Sequence, residues 1–93
     1  PIIFTGAQKV KGYWNGIQYA FSDSEANIID HAIIEYTGAL VGFFSTPTYG
    51  QITNTVLRGS VTHGIWLDST TTGDFSTGNT FEDIDGDDVF IDP

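Results

Sequence analysis

Ninety-three residues carry twelve acidic side chains against Lys9, Lys11 and Arg58, a net charge of −9, with no cysteine and no methionine. Scattered cations do not make the clustered positive surface that nucleic acid requires, and they disfavour an anionic membrane face. Without cysteine no disulfide or thiolate metal site can brace so small a core, and the redox compartment stays undecided. No stretch reaches the roughly 20 apolar residues of a membrane-spanning helix.

The chain opens at Pro1 rather than Met, which points to a cleaved leader or a segment of a longer protein. "PIIFTG" and "GYWNG" read as an irregular first turn, residues 1–16. A repeat begins at Ile17. Ile17, Val41, Ile65 and Val89 recur at a spacing of 24, and Tyr19, Phe43, Leu67 and Ile91 follow two residues later. A second ladder is expected at His31, Thr55 and Asn79, and at Ile33, Leu57 and Phe81. Side chains at i and i+2 share a strand face, so each pair points inward while Gln18 and its equivalents face out. One such turn cannot bury its apolar side, but turns stacked roughly 4.8 Å apart can. The units are therefore 17–40, 41–64, 65–88 and a partial 89–93. Gly16, Gly64 and the Gly38/Gly86 pair fall at the corners, where positive φ costs glycine little.

"SDSEANIIDHAIIEYTG" also fits an amphipathic helix with Ser24 as N-cap and Gly38 as stop signal. The register favours strand. Its equivalents, "QITNTVLRGS" and "FSTGNTFEDI", are poor in helix formers, and a helix rising about 1.5 Å per residue would break the spacing. The expected fold is all-β: a right-handed parallel β-helix, a solenoid of about three and a half turns of 24 residues.

"PIIFTG", "GYWNGIQY", "IDHAIIEYTGA", "ITNTVLRGSVTHGIWLD" and "NTFEDIDGDDVFID" together resemble the right-handed parallel β-helix repeat proteins. These are a branch of the pectate-lyase-like superfamily, common among secreted and surface proteins of bacteria. Neither end reads as a capping helix or charged plug, so the ends are expected to stack on further β-helix turns of the same chain, or on copies head-to-tail. The expected function is a non-catalytic module of a secreted or cell-surface protein, serving as stalk, adhesin scaffold or filament subunit.

The rival expectation is a fragment of a carbohydrate-active enzyme or a sugar-binding protein acting on polysaccharide. The resemblance to polygalacturonase-type members implies acid, base and orienting roles for Gly-Asp-Asp and Gly-His-Gly motifs. Here those correspond to Asp87 and Asp88 in "GDDVFI" and His63 in "THGIWL". Paired carboxylates are what glycoside hydrolysis needs. Two departures weigh against it: His63 precedes the aspartates, and no Arg/Lys motif follows to hold a uronate. The spacing of 24 between Gly64 and Asp88 reads instead as two successive corners.

The acidic close, "NTFEDIDGDDVFIDP", imitates a calcium loop. Asp83, Asp85 and Asp87 hold loop positions 1, 3 and 5, but Asp88 stands where the turn glycine belongs, and position 12 lies beyond Pro93. Asp68 and Asp92 are 24 apart and should stack. Two carboxylates about 5 Å apart repel by roughly 1 kcal/mol in water. A weak calcium site at Asp68, Asp87, Asp88 and Asp92 would relieve this, and no cofactor is required. Trp66 and Phe90, above Gly42 and Gln18, form with Trp14 the expected interaction surface, suited to a neighbouring domain or to sugar rings. The triplets Ser22-Asp23-Ser24, Thr46-Pro47-Thr48 and Thr70-Thr71-Thr72 also align, but Asp23 and Pro47 read as turn residues.

Overall fold

The computed structural model describes residues 2–20, 27–38, 40–44 and 49–92. Among them are eleven strands and no helix. In chain order they are β1 (Ile2–Phe4), β2 (Ile17–Ala20), β3 (Ile28–Asp30), β4 (Ala32–Thr37), β5 (Val41–Phe44) and β6 (Tyr49–Thr53), then β7 (Val56–Ser60), β8 (Ile65–Asp68), β9 (Thr72–Asp74), β10 (Thr80–Ile84) and β11 (Val89–Asp92). Sheet A is β1-β4-β7-β10, sheet B is β2-β5-β8-β11 and sheet C is β3-β6-β9. The chain thus visits A, B and C in unbroken rotation, and every strand pairing is parallel.

Sheet B keeps the expected period throughout, with Ile17, Val41, Ile65 and Val89 in one register column. Sheet A does not. Leu57 pairs with Ile34, not Ile33, and then with Phe81, so one step is 23 residues and the next 24. A one-residue slip carries every side chain to the other face. Ile34, at 0 % exposure, therefore takes the inward place expected of Ile33. The slip begins between Ala20 and Ile28, which enclose seven residues where Phe44 and Gln51 enclose six. It ends after Ser60, where four residues precede Ile65 and only three separate Thr37 from Val41. Exposed Val61 lies in that longer connection.

The same slip corrects the expected polar ladder. His31 has φ 55° and aligns with Asn54 at φ 51°, where the chain bends from sheet C into sheet A. His and Asn are among the few non-glycine residues that enter the left-handed region readily. Ala32 takes the inward place, its amide donating to Thr55 Oγ1 at 3.5 Å. The Thr55–Asn79 step stands: the Thr55 amide donates to Asn79 Oδ1 at 3.1 Å. A second left-handed column runs inside sheet A through Tyr36, Gly59 and Asp83, with φ 64°, 77° and 54°.

The core draws on all three sheets: Ala32, Ile34 and Leu57 from A, Val41, Ile65 and Leu67 from B, and Ile29 and Ile52 from C, with Leu40 just before β5. Trp14, Phe75 and Phe81 pack against it from either end. Gly16 has the expected positive φ, 80°. Gly64 and Gly86 lie at corners as expected, but for a different reason, close approach. A Cβ on Gly64 would stand 2.6 Å from Asp88 O and 2.8 Å from the Phe81 ring. A Cβ on Gly86 would meet Thr62 O and the His63 ring.

Candidate functional site

The sequence candidates gather at the connections entering β8 and β11. His63-Gly64 precedes β8, and Gly86-Asp87-Asp88 precedes β11 one period later. The Gly64 amide donates to Asp87 O at 3.0 Å and the Ile65 amide to Asp88 O at 2.8 Å. The backbone of this Asp pair therefore serves the stack, while its side chains are exposed to solvent. The Asp87 amide donates to His63 Nδ1 at 2.9 Å, so the neutral imidazole carries its proton on Nε2.

His63 also belongs to an aromatic cluster. Its ring stacks on Phe90 with centroids 4.2 Å apart and planes at 5°, and meets Trp66 edge-on at 5.2 Å. Trp66 and Phe90 are register partners in sheet B and contact each other edge-on at 5.4 Å. The column continues through Gly42 to Gln18, as the period requires. Trp14 lies elsewhere: it bridges to Thr37 in sheet A, packs on the core, and its Nε1 donates to Glu35 O at 2.9 Å. The three aromatics therefore divide into a half-buried pair and a separate structural anchor.

Asp68 and Asp92 are register partners, as their spacing implies. Asp68 Oδ1 accepts from the Thr70 amide at 3.0 Å and from Thr70 Oγ1 at 2.7 Å. Among the described residues no group of three His, Asp or Glu side chains converges as a metal centre would need. The Ser22-Asp23-Ser24 and Thr46-Pro47-Thr48 triplets lie outside the described residues. In the third triplet, Thr70 and Thr71 close a turn on Asp68, the Thr71 amide donating to Asp68 O at 3.0 Å.

Three charged groupings escaped the sequence reading. Lys11 Nζ donates to Asp85 Oδ1 at 2.7 Å and to Asp83 Oδ1 at 3.0 Å, joining the first turn to the last. Those carboxylates raise the Lys11 pKa, Asp85 most. Asp83 stands 72 residues from Lys11, and a separation of three turns gives no sequence signal for contact; the irregular loop carrying Lys11 makes it. Asp30 accepts from Thr53 Oγ1 at 2.7 Å, from Asn54 Nδ2 at 3.0 Å and from His31 Nδ1 at 2.7 Å. These bonds, Thr53 first, lower its pKa to about 2. Buried Glu35 holds Arg58 Nε at 3.2 Å, which raises the Arg58 pKa. Glu82 is in register on the other side of Arg58. A search that assumed a constant spacing of 24 misses Glu35 and Arg58, which are 23 apart.

No family model, curated protein or solved structure matches the chain.

Proposed function

We propose that the chain is a segment of right-handed parallel β-helix serving as a non-catalytic structural module of a secreted or cell-surface protein, a stalk, adhesin scaffold or filament subunit. The observation that carries this is the unbroken A-B-C rotation of parallel strands, with exposed apolar side chains concentrated in the first and last turns. Stacked strands resist lateral bending because each backbone is hydrogen-bonded to the turns beside it. The acidic exterior supplies solubility. Edge strands at both ends offer unpaired backbone groups to further turns of the same chain or to other copies.

A rival reading, a polysaccharide-active fragment using His63, Asp87 and Asp88, has less support. The candidates' backbone and ring nitrogen are spent on the corner itself. Calcium at Asp68, Asp87, Asp88 and Asp92 is an optional supplement to the structural reading and is checked by titration calorimetry. Light scattering on material eluting from a sizing column tests the main proposal: particle mass should grow with concentration in multiples of 10.1 kDa. A concentration-independent monomer overturns the stacking role. Cleavage of an acidic polysaccharide that is lost in Asp87→Asn would establish the rival.

A further inference from the structure

We propose that Asn15 is a self-modifying site: in the folded protein its side-chain amide is lost to attack by the Gly16 backbone nitrogen, leaving aspartate or isoaspartate in its place. Asparagine is among the chemically labile side chains, and the chain has four, Asn15, Asn27, Asn54 and Asn79.

Three of the four are tied into the stack. Asn27 Nδ2 donates to Tyr49 O at 3.0 Å, and Asn54 Nδ2 to Asp30 Oδ1 at 3.0 Å. Asn79 Nδ2 donates to Ile52 O at 2.8 Å and to Phe75 O at 3.0 Å, while its Oδ1 accepts from the Thr55 amide. Each is followed by a β-branched residue, Ile28, Thr55 or Thr80, whose branched Cβ crowds the backbone nitrogen that would have to attack. Asn15 differs on both counts. It is exposed and takes part in no hydrogen bond among the described residues. Gly16 follows it, with no Cβ to obstruct the approach and with φ 80°.

A second step of the same kind, Asp85-Gly86, supplies an internal comparison, since it too leads into a sheet B strand. There the attacking nitrogen is occupied: the Gly86 amide donates to Thr62 O, and Asp85 Oδ1 is held by Lys11 Nζ at 2.7 Å. The Gly16 amide donates to no acceptor among the described residues. One corner is closed to the reaction and the other is open to it.

The chemistry needs only water. The Gly16 nitrogen gives its proton to solvent base and bonds to Asn15 Cγ; the Cγ–Nδ2 bond breaks, and Nδ2 takes up a proton and leaves as ammonia. Water then opens the succinimide ring. Breaking the new bond to Cγ gives aspartate. Breaking the bond to the backbone carbonyl carbon gives isoaspartate, which routes the main chain through Cγ and lengthens it by one methylene. Either product takes the net charge one unit below −9. The chain is fixed on both sides of the step: Trp14 O accepts from the Gly38 amide at 2.8 Å, and the Ile17 amide donates to Leu40 O at 3.1 Å. Isoaspartate therefore strains the entry to β2, whereas aspartate only adds a surface charge. The site records the age of the folded chain.

The test is peptide mapping by mass spectrometry of folded protein aged in mildly alkaline buffer, beside a sample aged in denaturant. In the folded sample, conversion at Asn15 should run at least tenfold ahead of Asn27, Asn54 and Asn79. Denaturant should accelerate isomerisation at Asp85 at least tenfold more than deamidation at Asn15, because unfolding frees the Gly86 amide. Asn15 still intact in the folded sample once the denatured chain has converted overturns the proposal, as does equal acceleration at the two steps. A second readout is ammonia release from the folded protein. Asn15→Gln, whose longer side chain closes a ring far more slowly, should suppress it at least tenfold. Release at the parent's rate would place the reaction elsewhere and also overturn the assignment.

Discussion

Asp30 is a residue whose surroundings strongly perturb its chemistry. Three donors converge on one carboxylate, and its pKa falls from the ordinary 3.8 to about 2. A depressed folded pKa means that the group stabilises the fold above its unfolded value and loses that contribution as pH drops through the folded one. Acid unfolding should therefore steepen between about pH 4 and pH 2. In Asp30→Asn that part of the pH dependence should vanish, and Tm at pH 7 should fall, both measurable by thermal melts across a pH series. Asp74 adds an effect of the same sign, its pKa lowered chiefly by Thr77 Oγ1. Gly64 makes a different point about single residues. Its corner position was legible from the period, but its need for glycine was not, because Asp88 O and the Phe81 ring approach it only once the turns are stacked. Gly64→Ala should cost about 1–3 kcal/mol through overpacking. In a domain of this size each kcal/mol lowers Tm by roughly 4–8 °C.

At the scale of the strand, alternation decides which residue matters. Ile33 and Ile34 are chemically identical neighbours, yet only Ile34 joins the inward column with Leu57 and Phe81. Ile34→Ala should cost about 2–5 kcal/mol, as core truncations of this kind do. Ile33→Ala should cost clearly less, and equal losses in urea melts would restore the uniform period in sheet A. The reason the sequence misplaced this ladder is physical. Hydrophobic spacing reports the mean repeat, but a residue dropped in one connection and regained in another leaves the endpoints, Ile17, Val41 and Ile65, still 24 apart. Sheet B has no such shift, and its register columns keep the expected spacing. The segment from Ile28 to Thr37 was rightly taken as strand rather than helix, because its neighbours above and below could not have been helical.

Across the whole molecule, segment 5–13 acts as a strap. Gly12 N donates to Thr37 O at 3.0 Å, Lys9 lies over the Tyr36 ring at 5.5 Å, and Lys11 reaches Asp83 and Asp85. The strap follows the left-handed Tyr36–Gly59–Asp83 column down the side of sheet A. Lys11→Met should leave protection of β4 and β7 unchanged and raise amide exchange in β10 severalfold. Molar salt should imitate that change in the unmodified protein, because screening weakens exposed ion pairs. Uniform loss of protection across all three strands would mean instead that the strap supports the entire stack.

What the sequence determined by itself was the repeat: short apolar pairs at a fixed interval, poor in helix formers, can be buried only by stacking one turn on another. That reasoning was sufficient for the parallel all-β character, for the sheet B columns and for the pairing of Trp66 with Phe90 and of Asp68 with Asp92. The tertiary structure alone decided the slip in sheet A, which turned His31 outward onto Asp30 and Ile34 inward onto Leu57. It alone packed Trp14 against the core and brought Lys11 across three turns to the acidic end. Periodicity specifies which residues recur along a chain, whereas single-residue slips and the path of an irregular loop depend on how the turns pack. Those choices are made by contacts between residues far apart in sequence, and no local pattern records them.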